Sequence, residues 1–167
     1  VIKVYNDTLY IGGDFTNVYG QNRRGLASFD LSNNNLTSIN YDLYGIPCTV
    51  YDITKLNNSI YVCGFFTDAG PYNRTHVAKI NLSSGIVDPL WNPNIDYGVY
   101  AISASEDRIY LSGGFKTING QSRSRLASLD TTNGDLINWN PGLGKTANDI
   151  TFFDNFVYLW GGFTCAN

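Results

Sequence analysis

Leu9 to Asp30 reads LYIGGDFTNVYGQNRRGLASFD, and Ile109 to Asp130 reads IYLSGGFKTINGQSRSRLASLD. Gly20, Gln21, Arg23, Leu26, Ala27, Ser28 and Asp30 recur at Gly120, Gln121, Arg123, Leu126, Ala127, Ser128 and Asp130. A worn copy, IYVCGFFTDAGPYNRTHVAKIN, lies between them at Ile60–Asn81, and a fourth begins at VYLWGGFT, Val157–Thr164. The chain is therefore a tandem repeat with a period of roughly 50 residues, and each residue has to be weighed against that period.

Working outward, each copy opens with a short apolar segment: Ile2 and Val4, Tyr51 and Ile53, Tyr100 and Ile102, Ile150 and Phe152. The turns Asn6-Asp7, Asn57-Asn58, Glu106-Asp107 and Asp154-Asn155 join it to LYI, IYV, IYL or VYL. Apolar run, Asn/Asp turn, apolar run predicts a β-hairpin, because Asn and Asp tolerate positive φ. The second run is apolar at consecutive positions, which predicts a strand covered on both faces. Gly13, Gly64, Gly113 and Gly161 follow it, placed to bend the strand or admit a neighbouring backbone. Phe15, Phe66, Phe115 and Phe163 come two residues later and are expected to plug the space between sheets.

A loop carrying Gly20, Gly70 or Gly120 and an arginine (Arg23, Arg74, Arg123) leads to a third strand, LASF, VAKI or LASL. Its alanine suits close sheet packing. Turn chemistry follows, then a fourth, outermost strand expected to end at Trp91-Asn92-Pro93 and Trp139-Asn140-Pro141; the first copy has only Ile39-Asn40-Tyr41 there.

Four strands per unit predict an all-β chain of β-propeller blades, each a four-stranded antiparallel sheet. The units are 1–47, 48–97, 98–146 and a partial 147–167, three full repeats plus an opening hairpin. An open β-solenoid or a stacked-sheet array is the structural alternative. Propellers close with about four to eight blades, so further blades or a neighbouring subunit are expected, and the sequence reads as a segment of a longer polypeptide.

The form Y-x-G-G-x-F-T…G…R…L-A…D…W-N-P resembles the delta-sixty, kelch-like group of β-propeller repeats. It is also similar to repeats in the ectodomains of fungal cortical polarity markers. The resemblance implies a large secreted or surface-anchored protein whose family carries no common catalytic residue. Cys63 in place of Gly12, and Pro71 in place of Gly20 and Gly120, depart from the pattern.

A net charge of −3 with scattered Lys and Arg does not give the clustered basic face of a nucleic-acid binder. No apolar run is long enough to cross a bilayer as a helix, so no membrane insertion is expected. Cys48, Cys63 and Cys165 fit no metal pattern, and an odd count leaves at least one thiol free or paired elsewhere. A Cys48–Cys63 disulfide would be several residues out of hairpin register, and the pairing stays open. His76, the sole histidine, is too little for a copper-radical centre. The Gly-Gly pairs lack the helix and lysine of a phosphate loop. Arg23, Arg74 and Arg123 recur with the unit, which points to a bridge between each loop and a neighbouring blade, not to a carboxylate-binding triad.

Asn6, Asn35, Asn57, Asn73 and Asn81 each begin an Asn-x-Ser/Thr sequon. Four of them fall in expected turns or loops; Asn81 ends a strand. The functional expectation is a non-catalytic, extracellular structural or adhesive segment of a surface or filament glycoprotein. No cofactor is expected, and the expected partners are other blades, neighbouring subunits, glycans or surface proteins. The alternative is part of a propeller enzyme or carbohydrate-binding domain whose site lies in other blades.

Overall fold

The computed structural model describes residues 1–163, so Cys165 lies outside the described residues. Every regular element among them is a β-strand, and all pairings are antiparallel. The first unit contains β1 (Ile2–Tyr5), β2 (Thr8–Gly12), β3 (Asn17–Val18), β4 (Gln21–Asn22), β5 (Leu26–Asp30) and β6 (Asn35–Leu36). The second has β7 (Leu43–Tyr44), β8 (Thr49–Leu56), β9 (Ser59–Phe65), β10 (Asp68–Ala69), β11 (Tyr72–Asn73) and β12 (Val77–Asn81). The third has β13 (Val99–Ala104), β14 (Arg108–Gly113), β15 (Thr117–Ile118), β16 (Gln121–Ser122) and β17 (Leu126–Asp130); β18 (Ala147–Phe153) and β19 (Phe156–Gly161) are the last strands among the described residues.

The main sheets run β1-β2-β5-β6, β8-β9-β12, β13-β14-β17 and β18-β19. The fourth strand is much shorter than the sequence predicts. It is two residues long in β6 and shrinks to single bridges, Ile80 to Val87 and Leu129 to Leu136, in the next two sheets. The chain then leaves the sheet well before Trp91 and Trp139. Those indoles turn inward: Trp91 is fully buried and meets Tyr61 edge-on at 5.2 Å, and Trp139 meets Tyr110 at 5.4 Å. In the first unit Ile39 takes the tryptophan's place, facing Gly85 as Trp91 faces Gly134. Tyr41 is buried in the same cluster as Tyr10 and shares a hydrogen bond with Ser28. Burial pushes its phenol up to about 12.

Three core layers each lie between consecutive sheets. Ile60 and Val62 of β9 pack towards the first sheet, while Tyr61 and Cys63 pack towards the third. The same alternation places Ile109 and Leu111 against the second sheet and Tyr110 against the fourth. Period-2 alternation with both faces covered is why these strands read as unbroken apolar runs. Ala27, Ala78 and Ala127 are fully buried, as close sheet packing requires.

The segment carrying the arginine is a small hairpin in each unit, β3-β4, β10-β11 and β15-β16. Tyr19-Gly20 and Asn119-Gly120 hold positive φ at both turn residues, the geometry of a tight two-residue hairpin. Gly70, not Pro71, carries the positive φ in the second unit, so Gly70 stands where Tyr19 and Asn119 stand. β7 pairs forward onto β10, which ties the crossover from the first unit to the second.

Candidate functional site

Most of the recurring residues are consumed by the scaffold. Inner strands β8, β13 and β18 each carry a bulge, between Val50 and Asp52, Val99 and Ala101, and Ala147 and Asp149. The bulge drives the preceding carbonyl onto the facing glycine: a β-carbon on Gly64 would collide with the Thr49 oxygen, and one on Gly113 with the Gly98 oxygen. Phe66 and Phe115 are buried as predicted; Phe15 and Phe163 are only partly so.

The arginines bond within their own units, not across to a neighbour as the sequence reading has it. Arg23 Nη2 donates to the Thr37 carbonyl, and Arg74 Nη2 to the carbonyls of Asp88 and Pro89. The reason is that the segment after the short fourth strand folds back over the small hairpin. Arg123 donates to the adjacent Ser122 carbonyl and is less buried.

Among the described residues Cys48 and Cys63 are free thiols, on opposite faces of the second sheet and one in each flanking core layer, which rules out a bond between them. Burial pushes both thiols up. His76 adopts φ 69°, where Gly25 has φ 70° in the first unit, and its edge meets Phe65 at 5.3 Å. Burial lowers its pKa, so the ring is neutral at pH 7.

The two ends of the sheets differ. At one end the hairpin turn and the turn after the third strand are tied together: Leu31 N donates to Asp7 O, and Leu82 N to Asn58 O. Asn6, Asn35 and Asn57 are exposed at this end, and Asn73 is exposed on the small hairpin at the other. Asn81 is less exposed, and its Oδ1 accepts from the Ser83 and Ser84 N–H groups, which makes it a turn cap.

At the other end the inner strands of all four sheets meet. Val1–Lys3, Tyr51-Asp52, Tyr100-Ala101 and Asn148-Asp149 line one cavity of about 290 Å³. Asp52 is buried there; its carboxylate accepts from the N–H groups of Ile53 and Ile102 and lies 3.2 Å from Lys3 Nζ. Burial raises its pKa, and Lys3 and the two N–H groups oppose that shift.

Beside this cavity lies an aromatic cluster overlooked in the sequence. Tyr51 meets Phe65 at 6.1 Å and Tyr100 at 5.7 Å, and Phe65 meets Tyr97 at 5.2 Å, all near perpendicular. A second hollow of about 340 Å³, lined by Asp96, Tyr97, Gly114 and Lys116, adjoins it. The available signal was mismatch between copies: Phe65 stands where the others have Asp14, Gly114 and Gly162.

No family model and no curated protein matches this chain. Among solved structures it is similar to one described as the crystal structure of the computationally designed Ika8 protein, with 11% identity and a TM-score of 0.39. That match covers 95% of this chain and 66% of the designed one, so the chain spans about two thirds of that protein's length.

Proposed function

We propose that the chain is a run of kelch-like β-propeller blades of the delta-sixty kind, serving as a non-catalytic structural or adhesive part of a secreted or surface glycoprotein. The observation that carries the blade reading is the single cavity lined by the inner strands of four successive sheets. Sheets stacked about 10 Å apart in a straight row would keep the first and fourth well separated. Their meeting at one cavity supports a curved row, as blades adopt around an axis.

The non-catalytic reading rests on how the distinctive residues are used. The glycines accommodate bulges, the phenylalanines fill core, and the arginines hold main-chain oxygens. The glycoprotein reading rests on exposed Asn6, Asn35, Asn57 and Asn73 in turns and loops, where a glycan leaves the ladders undisturbed. Extracellular location and partnership with further blades or neighbouring subunits follow from that reading. Peptide mapping of the protein from its native source, before and after deglycosylation, tests it. Mass shifts on peptides carrying these four asparagines are expected; unshifted masses on all four overturn the glycoprotein reading.

A further inference from the structure

The aromatic cluster is more than the scaffold demands. Tyr51 and Tyr100 occupy bulge positions, so their side chains are turned out of the sheet's alternation, and Tyr51 and Tyr97 are 42% and 50% exposed. Tyr97 replaces Cys48 and Lys145 of the neighbouring units, as Phe65 replaces aspartate or glycine. Their backing is firm: a β-carbon on Gly98 would strike the Phe65 ring, and one on Gly114 would come within 2.6 Å of Tyr97 and 3.1 Å of the Tyr100 hydroxyl. Tyr100 thus stands between the two hollows.

We propose that this surface binds a neutral oligosaccharide, with pyranose rings in the two adjacent hollows and their C–H faces against Tyr51, Tyr97 and Tyr100. This deepens the adhesive reading and rests on it. Rigid aromatic faces supply contact area at little entropic cost. Around them stand groups of both hydrogen-bonding senses: Asp96 and Asp149 accept, Lys116 donates, and Asn148 and the phenols do either. Vicinal sugar hydroxyls, themselves donors and acceptors, match such a mixed rim. The Asp52 charge is already met by Lys3, so the site offers no unpaired buried charge to an ionic ligand. The exposed sequons Asn6, Asn35 and Asn57 lie at the opposite end, so glycans there leave the platform open.

The test is calorimetric titration of the protein with cellohexaose, laminarihexaose, chitohexaose and mannohexaose. At least one is expected to bind with a dissociation constant below about 1 mM. Tyr51→Ala and Tyr97→Ala each weaken it at least about tenfold without lowering the melting temperature by more than a few degrees. Tyr97→Phe keeps most of the binding, and Phe156→Ser, at the far end, leaves it unchanged. Binding of none of the four, or binding indifferent to both alanine variants, overturns the proposal. Bare sequons with sugar binding intact would sink the glycoprotein reading alone; glycosylated sequons with no sugar binding would sink this inference alone.

Discussion

The main-chain oxygen of Thr49 occupies the space that a β-carbon on Gly64 would need. The bulge at Tyr51 puts it there, and the bulge at Tyr100 does the same with Gly98 and Gly113. Backbone cannot retreat from a new methyl as a flexible side chain can. Gly64→Ala and Gly113→Ala are therefore expected to cost at least about 3 kcal/mol each. Chemical denaturation of the two variants checks this, and losses under about 1 kcal/mol at both would refute the bulge explanation.

Trp91 ties the second sheet to the third. Its indole N–H donates to the Asp130 carbonyl at 2.9 Å, and Tyr61 and Lys79 both donate to the next carbonyl, that of Thr131. Trp91→Ala is expected to destabilise by about 3–5 kcal/mol, the range for a buried aromatic. Chemical denaturation of the variant checks this, and a loss under about 1 kcal/mol would contradict the tie.

Arg74 is 3% exposed and holds the carbonyls of Asp88 and Pro89, whereas Arg123 reaches the neighbouring Ser122. Charged hydrogen bonds of this kind contribute about 1.5–3 kcal/mol. Arg74→Met should lose about 2 kcal/mol and Arg123→Met less than about 1 kcal/mol, again by denaturant midpoints.

Asp52 gives a pH signature of definite sign. Burial, the largest influence, lifts its folded pKa above the unfolded value of about 3.9. Its contribution is fully present below that unfolded value and is lost as pH rises through the folded pKa. Asp52→Asn removes this loss, so variant stability minus parent stability should increase from pH 4 to pH 7. A difference that falls over that window would contradict the assignment. Asp88 and Asp96 run the other way. Burial pushes each up, but the N–H groups of Leu90 and Trp91 with Lys79 at Asp88, and those of Thr117 and Lys116 at Asp96, more than offset it. What they contribute is present above about pH 4 and lost as pH falls through their depressed values.

The sheets were legible in the sequence because period and alternation are local properties. Leu9–Asp30 and its copies fixed the hairpins, the third strand and the doubly covered second strand. The fourth strand was over-read because the Trp-Asn-Pro motif looks like a strand end. In fact Trp91 leaves the ladder early to reach Tyr61 and Asp130. The arginine partners lie fourteen or so residues downstream in a fold-back with no local pattern. The separation of Cys48 from Cys63 was legible from hairpin register: Cys63 pairs with Asp52, four residues past Cys48. The aromatic cluster was missed for a related reason: Tyr51, Phe65, Tyr97 and Tyr100 come from two units and are far apart in the sequence.

A distance between the first strands of the first and fourth sheets distinguishes a curved row from a straight one. With a genetically encoded spin-label residue at Ile2 and another at Asn148, double electron–electron resonance reports the separation of the first and fourth inner strands. Three sheet spacings in a straight row would give roughly 30 Å. A curved run of blades, with both positions lining one cavity, predicts a clearly shorter distance. A separation of about 30 Å or more would mean a straight stack and would contradict the propeller account.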